Sequence, residues 1–155
     1  MDGFRWDYFD KTATPNFDEI IRGGSKAAAL IPVFPTKTFP NHISIVTGKY
    51  PENHGIIANR MYDPVFNEYY YIGEGSKPVL DGKWYEAEPI WVTVEKAGLK
   101  SMTMFWPASE AEIMGHRPTE YFVYNGSIKH DDRINQVLKW LDYPANKRPT
   151  FISLY

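Results

Sequence analysis

Four helical patterns and three short apolar strand patterns alternate along the chain, in the order helix, strand, helix, helix, strand, helix, strand. That alternation constrains the fold more than any other feature, because strands separated by helices pair in parallel and bury both sheet faces. The predicted class is α/β, with a mainly parallel sheet. The first helix spans residues 14–24, with Thr14 as N-cap, Pro15 at the first helical position, and Phe17, Ile20 and Ile21 on one face. The apolar run Ala27 to Phe34 reads as a buried strand. A strand-to-helix turn follows over Thr36 to His42, with Pro40 in the first helical turn and the helix ending at Gly48. Residues 49–67 are turn-rich, and 68–88 read as an irregular surface excursion. A helix over Glu88 to Ala97, a strand over Ser101 to Phe105, and a strand over Thr150 to Tyr155 complete the pattern with the helix Asp131 to Leu141. In that last helix Ile134, Val137, Leu138 and Leu141 fall at i, i+3, i+4 and i+7, which predicts a core-facing stripe.

At 155 residues, with no repeat, low-complexity segment or linker, residues 1–155 read as part of one domain with no internal boundary. A formal net charge of −2 lacks the basic field that nucleic-acid duplex binding needs. The absence of cysteine excludes disulfide frameworks, thiolate metal sites and cysteine nucleophiles. The longest apolar run, broken by Pro32, is too short for a transmembrane segment. Asp2, Arg5 and Asp7 interrupt any signal-peptide core. Aromatic residues make up 16%, many beside Gly or Pro, as in ordered loops that build ligand sites over a sheet.

Individual residues support two readings each. Thr38, at a strand-to-helix turn, is an N-cap. It is also placed for chemistry on an anion held at the helix N-terminus, provided a base or metal lowers its hydroxyl pKa. Asp2-Gly3 is a turn pair or a metal-binding carboxylate. Asn59 is a turn residue or a donor to a phosphate oxygen. His42, His54, His116 and His130 have no metal-ligand spacing. Phe39, Trp106-Pro107 and Tyr124-Asn125-Gly126 are packing residues or stacking surfaces for a nucleobase.

The combination is more specific than its parts. Asp2-Gly3-Phe4-Arg5 precedes Thr14-Pro15-Asn16, then Phe34-Pro35-Thr36-Lys37-Thr38-Phe39-Pro40-Asn41-His42, Ser44-Ile45-Val46-Thr47-Gly48 and Tyr50-Pro51-Glu52-Asn53-His54-Gly55-Ile56-Ile57. Asn59, Met61-Tyr62-Asp63-Pro64, Glu88-Pro89-Ile90-Trp91 and Phe105-Trp106-Pro107 follow in order. This series resembles the nucleotide pyrophosphatase/phosphodiesterase family of the alkaline phosphatase superfamily. The resemblance implies a three-layer α/β/α alkaline-phosphatase-like fold, incomplete here, and hydrolysis of nucleotide phosphodiester or pyrophosphate bonds. It implies Thr38 as nucleophile and zinc contact, Asp2 as zinc ligand, and Asn59 with the Thr38 backbone N–H as donors to the phosphoryl oxygen. It places Phe39 and Tyr124 on two sides of a nucleobase, with Trp106, Pro107 and Glu110 lining the nucleoside pocket. A threonyl-phosphoryl intermediate, two zinc ions and a periplasmic or extracellular location are implied in the same way.

Three positions depart from the pattern. Ile43 replaces a common Tyr, and Ala87 and Ala108 replace common glycines, which strains a loop wherever the glycine used positive φ. Of the groups the family sets around two zincs, the resemblance finds only Asp2 and Thr38 here. Two oxygen ligands do not complete a tetrahedral zinc site. The expectation is therefore an N-terminal fragment of a catalytic domain that is inactive by itself and self-associates through exposed sheet edges. Alternatives are a lipid phosphodiesterase or phosphomonoesterase of the same superfamily, a non-catalytic nucleotide-binding remnant, and an incomplete gene product.

Overall fold

The computed structural model describes residues 2–155. They divide into two compact units, residues 2–32 and residues 33–155.

In the first unit, helix α1 spans Pro15–Gly23, as its capping pattern predicts. Thr14 does not cap a backbone N–H; its hydroxyl donates to the Asp18 carboxylate at 3.0 Å. No residue of α1 is buried, and Ile20 is 69% exposed. The unit is held locally by rings: Phe4 lies 5.1–5.7 Å from Tyr8, Phe9 and Phe17, mostly edge to face. Asp2 and Gly3 form a turn, with Gly3 at φ 68°.

The predicted strand over Ala27 to Phe34 does not form. Leu30, Ile31 and Phe34 are 82–90% exposed. A strand is stabilised by its ladder and by burial of a face. This run has neither, and Pro32 removes a donor.

The second unit begins with helix α2, Thr38–Thr47, and the single turn α3, Pro51–His54. Both end on left-handed glycines, Gly48 at φ 65° and Gly55 at φ 85°. Strands β1 (Arg60–Asp63) and β2 (Glu68–Tyr71) form an antiparallel hairpin, with Met61 opposite Tyr70 and Tyr62 opposite Tyr69. Two 3-10 turns, Pro78–Leu80 and Gly82–Trp84, precede α4, Ile90–Lys96. Strand β3 (Ser101–Met104) is central, with β4 (Glu120–Phe122) and β5 (Phe151–Leu154) parallel to it on either side. Helix α5, His130–Leu141, lies between β4 and β5 in sequence.

The sheet separates two cores. Phe151 packs with the cluster containing Trp91 and Val92 of α4, Ile43 of α2 and Tyr70 of the hairpin. Its neighbour Ile152 packs with Met102, Met104 and Trp140 of α5. Adjacent strand residues point to opposite faces, so α4 and α5 cover different sides. The predicted surface excursion over 68–88 does expose Tyr69, Tyr71 and Leu80, but it also supplies the core with Tyr70, Val79, Trp84, Tyr85 and Ala87, all buried. Its helix- and strand-length periodicities are too short to register, and its burial comes from large rings.

Helix α5 lies where its pattern places it, but the buried stripe is different. Ile134, Leu138 and Leu141 are 47–52% exposed, whereas Arg133 and Trp140 are buried. Three polar bonds set this rotation: the Trp140 indole donates to Glu120 Oε2 at 2.8 Å, and Arg133 donates to the carbonyls of Ile128 and Tyr155 at 3.0 and 3.2 Å.

His54 is fully buried between α2 and the hairpin's approach. Its Nδ1 accepts from the Ile56 N–H at 3.3 Å, so the proton sits on Nε2 and donates to the Pro40 carbonyl at 3.2 Å. Burial lowers its pKa below the usual histidine value. A neutral histidine favoured by folding contributes stability above the unfolded pKa of about 6.5, and that stability is lost as pH falls toward the folded value. Urea midpoints are therefore expected to decline below about pH 6.5, with His54→Gln flattening that limb. An unchanged limb in the variant would assign the acid sensitivity elsewhere.

Candidate functional site

The segment before α2 is tied down by one side chain. Asn41 Nδ2 donates to the carbonyls of Val33, Pro35 and Lys37 at 3.4, 3.2 and 2.9 Å, and Asn41 Oδ1 accepts from the Val33 N–H at 2.8 Å. Lys37, not Thr38, is the N-cap residue of α2, so Thr38 is its first helical residue. The four leading N–H groups of a helix lack intrahelical partners. Lys37 N–H donates to the Pro35 carbonyl at 2.8 Å, and Phe39 N–H donates to Asn59 Oδ1 at 3.0 Å. Pro40 has no N–H. The remaining open donor is that of Thr38, and the Thr38 hydroxyl also makes no hydrogen bond among the described residues.

Because a backbone N–H must meet an acceptor, Asn59 Oδ1 is fixed by Phe39, and the two donors on its Nδ2 remain available. Thr38 and Asn59 therefore meet at one helix end. The helix dipole there favours negative charge.

The second edge of the site lies beyond the carboxyl end of β3. Phe105 and Ala108 both have positive φ, 59° and 74°. Left-handed backbone at a buried, non-glycine pair is uncommon and clusters at functional positions. Of the two alanines that depart from the family's glycines, Ala108 thus occupies left-handed backbone and Ala87 does not. Trp106 donates from its indole to the His42 carbonyl at 3.3 Å, and His42 Nδ1 pairs with the Thr38 carbonyl at 2.7 Å. The His42 ring lies 5.2 Å from Trp106 and 5.3 Å from Tyr155. Tyr124 contacts Phe105 and Tyr155 at 5.5 and 6.4 Å. Phe39 contacts Tyr70 at 6.2 Å.

Glu110 is 8% exposed, and burial raises its pKa above the usual carboxylate value. Its Oε2 accepts from the Tyr124 N–H at 2.8 Å, and its carbonyl accepts from Arg117 Nη1. Glu110 therefore positions Tyr124. Pro107 is buried beside it. The structure ties Asn59 to Phe39, the residue after Thr38, joins Thr38 to Trp106 through His42, and joins Glu110 to Tyr124. No direct ring contact joins Phe39 to Tyr124. Sequence reasoning gave Asn41 no role and read His42 only as a histidine without metal-ligand spacing. Their only signal was position inside the block from Pro35 to His42.

A zinc centre does not follow from these residues. Asp2 belongs to the first unit and Thr38 to the second. Among the described residues no three His, Asp or Glu side chains group to hold a metal ion. Two oxygen donors fall short of the four that a zinc site takes. Among the described residues, no helix is long and apolar enough to cross a membrane.

Comparison with known proteins gives one answer. The family model described as type I phosphodiesterase / nucleotide pyrophosphatase matches residues 1–155. The human ectonucleotide pyrophosphatase/phosphodiesterase family member 1 is 48% identical over all of this chain and 17% of its own length. A venom phosphodiesterase of Macrovipera lebetinus is 46% identical over all of this chain and 18% of its own. The chain thus spans under a fifth of these relatives. Among solved structures, murine ectonucleotide pyrophosphatase/phosphodiesterase 5 superposes with TM-score 0.92 at 39% identity, over 99% of this chain and 40% of that one. An inactive threonine-to-alanine variant of the same murine protein, in complex with AMP, gives TM-score 0.93 at 38% identity, over 100% and 41%. With its parallel sheet, its α/β alkaline-phosphatase-like fold and this matched length, the chain belongs to the type I phosphodiesterase / nucleotide pyrophosphatase family.

Proposed function

We propose that this chain carries the phosphoryl- and nucleoside-facing part of a zinc-dependent nucleotide phosphodiesterase/pyrophosphatase in which Thr38 is the nucleophile. The observation that carries the reading is the helix end at Thr38. Its hydroxyl and its open backbone N–H belong to one residue, and Asn59, whose amide donors are free, is bonded to the N–H of the next residue, Phe39. An attacking oxygen and two oxyanion donors at one point suit substitution at phosphorus. Thr38 Oγ would form a bond to phosphorus as the leaving oxygen departs with its electron pair. Water would then cleave the threonyl-phosphoryl bond. Asn59 and the Thr38 N–H would hold the non-bridging oxygen through both steps. Phe39 and Tyr124 would stack the base, with Trp106, Pro107 and Glu110 around the nucleoside. A murine relative that is inactive after loss of one threonine, yet holds AMP, fits a threonine that reacts rather than binds. Relatives named as an ectoenzyme and as a venom enzyme support an extracellular setting.

The described donors do not assemble the zinc ions that would activate Thr38, so the chain by itself is expected to be inactive. With p-nitrophenyl thymidine monophosphate and added zinc, no turnover is expected. In zinc-free calorimetry AMP should still bind. Tyr124→Ala should weaken that binding about tenfold, the value of one base–aromatic stack, whereas Thr38→Ala should leave it within about twofold. Turnover abolished by Thr38→Ala would overturn the inactivity. AMP binding indifferent to Tyr124→Ala would overturn the nucleoside pocket.

A further inference from the structure

Two peptide groups flank the Cα of Thr38, and side chains hold both. In the one before it, the Lys37 carbonyl accepts from Asn41 Nδ2 at 2.9 Å. The N–H of that same peptide is the Thr38 donor, open among the described residues. The peptide after Thr38 is held at both ends. The Thr38 carbonyl accepts from His42 Nδ1 at 2.7 Å, and the Phe39 N–H donates to Asn59 Oδ1 at 3.0 Å. A carbonyl only accepts, so the His42 proton in this bond is on Nδ1. In α2 the helix already gives the Thr38 carbonyl the N–H four residues on. The imidazole takes the second lone pair, so helix formation does not require it. The His42 ring is buried and packs edge to face, 5.2 Å from Trp106 and 5.3 Å from Tyr155.

We propose that His42 is a positioning residue for the phosphoryl group: acting through the Thr38–Phe39 peptide, it sets the orientation and strength of the amide donors of Asn59. The proposal rests on the phosphodiesterase reading, in which those donors hold the non-bridging oxygen. The bonds run in one direction. His42 Nδ1 donates to a carbonyl, the N–H of the same peptide donates to Asn59 Oδ1, and the Asn59 Nδ2 hydrogens are left for the substrate. Hydrogen bonds in such a chain polarise one another. A donor on the Thr38 carbonyl makes the Phe39 N–H a stronger donor. That N–H draws charge onto Asn59 Oδ1 and leaves the Nδ2 hydrogens more positive. A peptide held at both ends also resists rotation, so Asn59 keeps the amide orientation that frees Nδ2. Trp106 bonds the backbone carbonyl of His42 at 3.3 Å, not the ring, so a change of the imidazole alone spares that link to the nucleoside wall.

Calorimetry on the 155-residue chain in zinc-free buffer separates this role from packing. AMP and adenosine are the probes, because only AMP brings a phosphoryl group to Asn59. His42→Phe keeps a ring against Trp106 and Tyr155 and loses the donor. His42→Asn loses the ring and keeps a donor, since His Nδ1 and Asn Nδ2 are both bonded to Cγ. AMP affinity is expected to fall about tenfold in His42→Phe, the value of one hydrogen bond, with adenosine unchanged. His42→Asn should hold AMP within about twofold of the parent, even as its unfolding midpoint drops. The reverse order, with AMP weakened by His42→Asn and held by His42→Phe, would make His42 a packing residue and overturn the proposal. Equal losses of AMP and adenosine in His42→Phe would do the same. Imidazole nitrogen NMR on the parent chain needs no variant: where histidine is neutral, His42 should carry its proton on Nδ1, and a proton on Nε2 overturns the relay. A parent that binds AMP no more tightly than adenosine would overturn the phosphodiesterase reading and this proposal with it. An AMP preference lost in Asn59→Asp but kept in both His42 variants would overturn the role of His42 alone.

Discussion

Gly82→Ala is expected to destabilise the second unit by about 4 kcal/mol or more, at the severe end for a single substitution. A Cβ at Gly82 would sit 1.8 Å from the Glu112 carbonyl oxygen and 2.9 Å from its carbon. Both atoms are backbone, so no side-chain rotation relieves the overlap. The two segments are fixed on both sides of the contact. Asp81 caps the 3-10 turn by accepting from the Lys83 N–H, and Trp84 and Tyr85 next to it are buried. Across from them Ile113 is 1% exposed and exchanges backbone hydrogen bonds of 3.0 Å with His116. Separating the segments would open the core cluster that both serve. Chemical denaturation should show a large drop in midpoint with little change in slope. Gly98→Ala is the control: nothing lies within 4 Å of a Cβ there, so only the strain of its φ of 73° is added, about 1–2 kcal/mol. A Gly82→Ala loss no larger than that of Gly98→Ala would show that the two segments separate freely.

The alternation of elements was legible because α1, α2, α4 and α5 each carry a local signal: Pro near the start, Gly near the end, or apolar spacing at 3.6 residues. What escaped detection lacks such local signals. β1 and β2 read Arg-Met-Tyr-Asp and Glu-Tyr-Tyr-Tyr, with one inward residue each that packs the core, Met61 and Tyr70. β4 is three residues long. Ala27 to Phe34 shows the converse error, since an apolar run is only potential strand until a ladder partner lies beside it. α5 shows a subtler one. Its aliphatic residues predicted the buried stripe, but the hydrogen bonds of Arg133 and Trp140 turn the helix otherwise.

The site was legible differently. No spacing rule finds Thr38 or Asn59, because their partners come from the fold: Phe39 N–H is 20 positions from Asn59. The resemblance alone drew them together, and the geometry adds what the resemblance did not carry. Asn59 has a structural duty as well as an amide to spare, and Asn41 and His42 hold the backbone that presents Thr38. Gly82, like these, owes its importance to a segment 30 residues away.

Asn59→Asp separates those two duties, and its expected result is a split between stability and binding. A carboxylate oxygen replaces Oδ1 and still accepts from the Phe39 N–H, now at 3.0 Å in the parent. Negative charge at the N-terminus of α2 is favourable by about 0.3–1 kcal/mol, so the unfolding midpoint should hold or rise. The same change removes both amide donors and sets a negative charge where a phosphoryl oxygen would lie. Loss of a hydrogen bond to a charged group costs about 1.5–3 kcal/mol, and like-charge repulsion adds to it. AMP affinity is therefore expected to fall about a hundredfold, while adenosine, which has no phosphate, binds as before. Asn59→Ala should behave differently. It abandons the Phe39 N–H, so it lowers stability by about 1 kcal/mol, and it weakens AMP less than the aspartate does because no repulsion is introduced. If Asn59→Asp left AMP affinity within about twofold of the parent, Asn59 would be a helix cap and nothing more, and the phosphoryl group would have to sit elsewhere.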